Sequence, residues 1–575
     1  MRKKGGEMQS HRILVFLSVL LVGTGAVFAN ESLQFNKYHN NAEFEEHLQW
    51  LAKTFPNLVS VEEVGRSLAR APIWAVTVTN RATGEPEHKP AMYVDGNTHG
   101  GEITGGEAAL HLVHKLATQY GKDPLITEAL DKITYYVIPR VNPDGAEAYL
   151  TGKLPNNPNP IDNDRDGRFD EDAPEDINGD GTISYMRIRD PNGPLRTHPE
   201  DSRLMVHRMG GEAGEWRMLG REGMDNDGDG LVNEDGPDPL GTVTNRNYPV
   251  GWWSQDELMH GRGQYPLSEP ESKAQVDFVL AHPNINGITT YHTHSGLILR
   301  SYSHKADDIH IYKDLPYFEG IGAAGTEIAG YPLVSTYHGF TPNPLQPRLG
   351  TFKDFGYIMR GVIAWTIEIW KAPGEEGLSA FEGLDEMKML KFIDEELGGR
   401  AFVSWKPYDH PVYGEVEIGG LEQNFVIQNP PPEFLEQELE KVTGFAIVQG
   451  LMSPLVRVVE TSSEELGDGI FRVRASVQNQ GYLPTALERA KSLGLAEPVT
   501  VSLEGGEVLS EPTAHALGTL QGWGPLRSNR PSYNAPGAPI HDVSWIIRGK
   551  AGDQLTVGVR SERGGRHQVQ MQLGK

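Results

Sequence analysis

The sequence predicts an α/β domain built on a mixed, largely parallel sheet flanked by helices, followed by a small C-terminal β-sandwich. Three observations carry this expectation. Apolar strand-like runs alternate with helical periodicity over the first part of the chain. A long Asp/Gly-rich stretch then interrupts them. Beyond Pro454, short alternating runs separated by Gly, Pro and Asn turns replace both. A chain of 575 residues is too long for one ordinary core. The expected division is residues 1–29, 30–452 and 453–575.

The first segment reads as an address. Arg2, Lys3, Lys4 and Arg12 precede the apolar run Ile13 to Val22, and Val27-Phe28-Ala29 offers small residues before a cut after Ala29. That is the anatomy of a secretory signal peptide, so export to the periplasm or the medium is expected. No other stretch is apolar and long enough to span a bilayer. The chain has no cysteine, so disulfides cannot stabilise it outside the cytoplasm. A net charge of −26 argues against nucleic acid or an anionic membrane surface as partner.

Phe44, Leu48 and Leu51 fall on one stripe, predicting a helix over residues 42–55. Strands follow at 58–64, 73–78 and 91–94. A helix at 103–120 and a strand at 133–138 complete a strand–helix–strand unit. From about 152 to 244 regular periodicity disappears. A helix at 272–280, strands at 287–291 and 362–369 and a helix at 433–449 resume the pattern. Past Pro454, the runs 471–477 and 499–503 alternate as sandwich strands do.

The irregular stretch carries three related motifs. Asp162-Asn163-Asp164-Arg165-Asp166-Gly167, Asp176-Ile177-Asn178-Gly179-Asp180-Gly181 and Asp225-Asn226-Asp227-Gly228-Asp229-Gly230 place oxygen ligands at positions 1, 3 and 5 and Gly at 6. This is the first half of a Ca²⁺ loop. The bidentate Glu at position 12 is missing from all three, so they are not standard EF-hands. The expectation is structural Ca²⁺ on Asp162, Asp164, Asp166, Asp176, Asn178, Asp180, Asp225, Asp227 and Asp229.

The chemistry-bearing residues lie at the ends of predicted strands. His99 and Glu102 follow the 91–94 strand, and His292 follows the 287–291 strand. In open α/β sheets such positions converge on one rim. Two imidazoles and a carboxylate leave a fourth Zn²⁺ position open, the pattern of a catalytic site. His292 and His294 point to opposite faces of a continuing strand, so one of them is the ligand. Glu368 interrupts a buried apolar strand, which is costly without a partner and fits a general base of tuned pKa.

His99-x-x-Glu102, Asn142-Pro143-Asp144-Gly145, Met186-Arg187, Asn245-Arg246-Asn247, Ser268-Glu269-Pro270-Glu271, His292 and Glu368 together resemble the zinc carboxypeptidases of the funnelin (M14) family. They occur in the family's order across most of residues 35 to 400. The resemblance implies one catalytic Zn²⁺ on His99, Glu102 and His292, with Glu368 as general base. It further implies that Arg187 polarises the scissile carbonyl, with Arg189 as runner-up. Asn245 and Arg246 would hold the substrate's terminal carboxylate, and peptide or protein C-termini would be the substrate. The family's substrate-closing tyrosine has no clear counterpart; Tyr337 is its candidate. Lys353 falls near the position that sets side-chain preference and would favour a C-terminal Glu or Asp. Two competing readings remain: a zinc amidohydrolase, deacylase or cell-wall peptide-stem hydrolase on the same metal site, and a non-catalytic calcium-stabilised binding protein.

Overall fold

The centre of the molecule is a mixed eight-stranded sheet. The computed structural model describes residues 33–151, 172–233, 244–252, 262–341, 343, 345, 347–377, 383–524 and 538–574. The segment read as a signal peptide and the motif Asp162, Asp164 and Asp166 lie outside the described residues. In chain order the strands are β1 (Val59–Arg66), β2 (Pro72–Val78), β3 (Ala91–Gly96), β4 (Thr134–Ile138), β5 (Tyr185–Arg189), β6 (Leu195–Thr197), β7 (Met205–His207), β8 (Trp216–Arg221), β9 (Ile285–Thr293), β10 (Leu297–Arg300), β11 (Leu333–Ser335), β12 (Ile363–Ile369), β13 (Phe402–His410) and β14 (Gly414–Leu421).

The central sheet runs β1-β2-β4-β3-β9-β12-β10-β11. The β4/β3, β3/β9, β9/β12 and β10/β11 pairs are parallel and the others antiparallel. Every residue of β3, β4, β9 and β12 is buried. Continuous apolar runs rather than alternation therefore mark them in the sequence, as for sheets covered on both faces. The helices are α1 (Asn41–Thr54), α2 (Ile103–Gln119), α3 (Pro124–Lys132), α4 (Pro143–Leu150), α5 (Pro270–Ala281), α6 (Ile309–Ala329), the single turn α7 (Phe352–Asp354), α8 (Glu386–Glu396) and α9 (Pro432–Leu451). α2 packs on β3, β9 and α9, while α1 and α5 pack on β1. Among the described residues no helix is long and apolar enough to cross a membrane.

The stretch expected to be irregular from 152 to 244 contributes regular structure. β5, β8, β6 and β7 join β13 and β14 in a second sheet of order β13-β14-β5-β8-β6-β7. Its strands are short and partly exposed, so they carry no long apolar run. Their partners β13 and β14 lie about 200 residues away in sequence, beyond the reach of local pattern.

Beyond Pro454 the chain forms β15 (Val456–Gly467), β16 (Ile470–Asn479), β17 (Thr500–Glu504), β18 (Glu507–Val508), β19 (Ala514–Ala516), β20 (Ile540–Arg548), β21 (Gln554–Ser561) and β22 (Gly565–Gln572). They make two four-stranded antiparallel sheets, β15-β16-β20-β18 and β19-β17-β21-β22. Phe471, Val501, Trp545 and Val557 belong to one buried core. This is the β-sandwich the alternating pattern predicts. It grips the α/β part at a telling place. Arg563, which is 4% exposed, donates to the carbonyls of Gly361 and Arg360 at 3.0 and 2.7 Å, in the turn that enters β12. Asp314 on α6 accepts the amides of Glu488 and Arg489 at 2.8 and 3.0 Å.

The rim of the central sheet depends on two glycines. A Cβ on Gly96 would lie 2.0 Å from the carbonyl oxygen of Gly105, and one on Gly105 would lie 2.5 Å from that of Tyr291. The ends of β3 and β9 and the first turn of α2 thus meet backbone to backbone. Because no side chain can move aside, Gly96→Ala is expected to destabilise the protein by about 3 kcal/mol or more. Denaturant unfolding measures this, and an unchanged midpoint would refute the close contact.

Candidate active site

The close contact at Gly96 and Gly105 brings three candidate ligands together, two imidazoles and a carboxylate. β3 ends at Gly96, and the loop after it carries His99. Asn97, in the left-handed region at φ 58°, donates through Nδ2 to the carbonyls of His99 at 2.6 Å and Gly100 at 3.0 Å, fixing that loop. Glu102 stands at the N-cap of α2. His292 is on β9, directly beside Glu368 of β12 in the parallel register.

One oxygen from Glu102 and one nitrogen from each of His99 and His292 lie within 4.8 Å of one another. His99 Nδ1 is 2.7 Å from Glu102 Oε1, His292 Nδ1 is 2.7 Å from Glu102 Oε2, and the two Nδ1 atoms are 3.3 Å apart. Burial raises the Glu102 pKa, but His99 and His292 outweigh it and hold this carboxyl far below the usual range. Two imidazole nitrogens and an ionised carboxylate, aimed at one point, fit the donor chemistry of Zn²⁺. His294, two residues on, pairs with Glu375 instead.

The other face of His292 is also arranged. Its Nε2 lies 3.3 Å from Thr290 Oγ1, and that hydroxyl donates to Asp95 Oδ1 at 2.6 Å. Asp95 is fully buried, and burial pushes it up to about 7. Such outer groups orient metal-binding imidazoles. In the sequence Asp95 is one acid in a strand end, with nothing to mark it.

Glu368 is 8% exposed. Burial first, and the negative charge of Glu102 second, push it up to about 7, while His292, Arg348 and His294 oppose them. Asn245 sits beside this pair. Its Nδ2 is 3.4 Å from His292 Nε2, and its Oδ1 accepts the Phe352 amide at 2.9 Å. Arg246 donates to the Asn245 carbonyl at 2.6 Å. Burial and the neighbouring Arg348 and Arg262 push Arg246 down to about 9, which leaves it charged at neutral pH.

Three expectations are corrected. Arg187 does not stand in this cluster. It lies in the second sheet, between the rings of Trp216 and Trp405 at 3.9 and 4.1 Å, with its Nε and Nη2 on Glu417 at 2.8 and 2.6 Å. Arg189 is stacked on the same Trp216 at 4.1 Å. Both cations are held by partners within that sheet. Second, Lys353 is 2% exposed, bonded to Ser303 Oγ at 2.9 Å and 3.4 Å from Asp354. Its charge is compensated inside the protein, so it offers no free cation to a substrate's acidic side chain. Third, Asp229 stands outside the acidic clusters of the described residues, its Oδ1 accepting the Leu231 amide, while Asn178 Oδ1 accepts the Asp180 amide. Tyr337 lies half-buried in the turn after β11, with its amide on the Tyr302 carbonyl at 2.9 Å.

Arg348 is the guanidinium that sequence reading missed. Its charge bears on Glu368 and Glu102. The backbone beside it explains why. Gly350 bonds Val250 and Tyr248 at 2.8 and 3.2 Å, and a Cβ there would lie 2.2 Å from the Arg246 carbonyl. The 347–351 segment is thereby seated against the Asn245–Arg246 turn. No motif or periodicity marks Arg348 in the sequence.

Several motif residues act as braces. Asn142 caps α4, accepting the Gly145 amide at 2.9 Å, and Asp144 accepts from Ser67 Oγ and the Ala69 amide at 2.7 and 2.8 Å. Buried Glu271 accepts the Leu68 amide at 2.9 Å. Asn247 donates to Arg262 and Tyr265 carbonyls and to Ser268 Oγ, which shapes the turn behind Arg246.

The family model for zinc carboxypeptidase matches residues 44–379. The chain belongs to that family. Residues 455–572 match a domain of unknown function. Carboxypeptidase M of Mus musculus is 34% identical over 116 residues, covering 20% of this chain and 25% of that protein. Carboxypeptidase D of Homo sapiens is 30% identical over 120 residues, 21% of this chain and 9% of that protein. The chain thus spans a quarter or less of the length of these relatives. The crystal structure of carboxypeptidase A from Helicoverpa armigera is similar at 18% identity and a TM-score of 0.41, covering 73% of this chain and 74% of that one.

Two outcomes follow from this geometry. His292→Ala is expected to abolish zinc retention after dialysis while Glu368→Gln keeps it, as read by elemental analysis; retention by His292→Ala would displace the ligand assignment. Lys353→Met strands the buried Asp354 charge and is expected to cost about 3–5 kcal/mol of stability in denaturant unfolding.

Proposed function

We propose that the protein is an exported zinc-dependent carboxypeptidase that removes residues one at a time from peptide C-termini. The observation that carries this is the position of Asn245 and Arg246 beside His292. A guanidinium next to the metal ligands suits a terminal carboxylate, which it binds through two parallel hydrogen bonds. An internal peptide bond has no such group, so this site favours an exopeptidase. The cationic N-terminal segment and apolar run support export.

Zinc, when bound, supplies a Lewis acid that polarises the scissile carbonyl and makes water more acidic. Glu368 accepts the proton from the attacking water and returns it to the leaving amine. Its burial suits that work, because a carboxyl held near neutrality both takes and gives a proton. Arg348, rather than Arg187, supplies the second positive charge, on the Glu368 side of the site, where negative charge develops on the carbonyl oxygen. Arg246 and Asn245 hold the carboxylate and set the distance to the bond that breaks.

Mass spectrometry of a mixed peptide library tests the reading. Wild type should shorten peptides from the C-terminus and leave C-terminally amidated peptides intact. Glu368→Gln should retain zinc and leave every peptide whole; full activity in that variant would remove the mechanism. Arg348→Met is expected to lower kcat by about 10²–10³-fold, as loss of an oxyanion donor does. Arg187→Met should leave kcat nearly unchanged and lower stability. The opposite pattern would return the polarising role to Arg187.

The pH dependence has a definite sign. Glu368 works as a base only when ionised, so kcat/KM should fall on the acid side as it is protonated. Its pKa of about 7 is set by burial and by Glu102, and a bound cation offsets the Glu102 charge. The acid limb is therefore expected below pH 7 and should be absent from any residual rate of Glu368→Gln.

A further inference from the structure

The acidic motifs do not fold as three self-contained loops. Asp225 and Asp227 meet a residue outside any motif, Asp172, and the three offer carboxylate oxygens within 4.8 Å of one another. Asp172 is 0% exposed. Its Oδ1 accepts the Asn226 amide at 2.6 Å, while its Oδ2 is buried with no hydrogen-bond partner among the described residues. An orphaned carboxylate oxygen in the interior costs free energy unless a cation or a donor meets it. Among the described residues none of the three acids forms an ion pair with a Lys, Arg or His.

The geometry points to a calcium site formed by Asp172, Asp225 and Asp227. Three carboxylates and no nitrogen or sulfur make a hard donor set, which suits Ca²⁺ and not the borderline Zn²⁺ of the catalytic triad. The Asp225 loop is shaped by amide bonds to its carboxylates. Asp225 accepts the amides of Gly228 and Gly230 at 2.7 and 3.0 Å, and Asp229 turns to the Leu231 amide at 2.7 Å. These bonds curl the loop so that Asp225 and Asp227 face Asp172. A second cluster, Asp176, Asp180 and Glu222, differs in kind. Both oxygens of buried Glu222 already accept amides, from Ser184 at 2.6 Å and Ile177 at 3.2 Å, so it lacks the orphan that marks the first.

The proposed ion is a cross-link between distant stretches. It ties the segment entering β5 to the loop leaving β8, reinforcing the Glu175 amide bond to the Glu222 carbonyl at 3.0 Å. The second sheet would then be held at the end from which the chain proceeds to Asn245 and Arg246. This inference does not rest on the peptidase reading, and its test reads calcium rather than activity.

Zinc-loaded full-length protein, freed of calcium on a chelating resin, is titrated with Ca²⁺ by calorimetry and its thermal midpoint followed. Wild type should bind Ca²⁺ with a Kd of about 10⁻⁴ M or tighter and gain at least about 3 °C at saturation. Asp172→Asn should lose one equivalent of Ca²⁺ and most of that gain, while Asp229→Asn keeps both. The partly exposed Asp227→Asn serves as second variant should Asp172→Asn fail to fold. The proposal is overturned by wild type that binds no Ca²⁺ at millimolar concentration. It is equally overturned if folded Asp172→Asn or Asp227→Asn binds as many equivalents as wild type.

Discussion

One buried carboxylate organises the rim of the central sheet. Glu102 gives one oxygen to His99 and the other to His292, and its charge persists in the interior only because both imidazoles face it. The backbone contacts at Gly96 and Gly105 exist to bring those three residues to one point. The same charge then acts on Glu368, one strand away. Burial and the Glu102 charge together raise the Glu368 carboxyl, while His292, Arg348 and His294 keep it near neutrality, so two neighbouring acids are given two different tasks.

Around this centre, positive charge is distributed by packing rather than by motif. Arg246 and Arg348 come from segments about a hundred residues apart, held together because Gly350 lies flat on the Arg246 carbonyl. Arg348 lowers the Arg246 pKa through like-charge repulsion, while Glu102 and Glu368 favour the charge on both. Lys353, also nearby in sequence, has its charge compensated by Asp354.

Of the two additions to the α/β core, the sandwich is tied to it close to the strand that carries Glu368. The sandwich holds the turn that enters β12 through Arg563, upstream of Glu368 on the same strand. The second sheet holds Arg187 between two tryptophans. Neither addition supplies a ligand of the His99–Glu102–His292 cluster, and the sandwich braces the strand that presents Glu368.

What the sequence determined by itself is the buried strands of the central sheet and the residues of the His99–Glu102–His292 cluster. Continuous apolar runs announced β3, β4, β9 and β12, since strands buried on both faces have no reason to alternate. His99, Glu102, His292 and Glu368 were legible because each breaks a local pattern, a polar group where a strand ends or a charge inside one. The tertiary structure decided what such patterns cannot hold. Neither Arg187, between Met186 and Ile188, nor Arg348, between Pro347 and Leu349, carries a local mark of its partner; tertiary packing sets Arg348 by Glu368 and Arg187 on Glu417. Asp172 joins Asp225 and Asp227 across more than fifty residues. The six-stranded sheet was hidden for the same reason: its strands are short, half-exposed and paired across the chain, so their stability comes from partners that no local window contains.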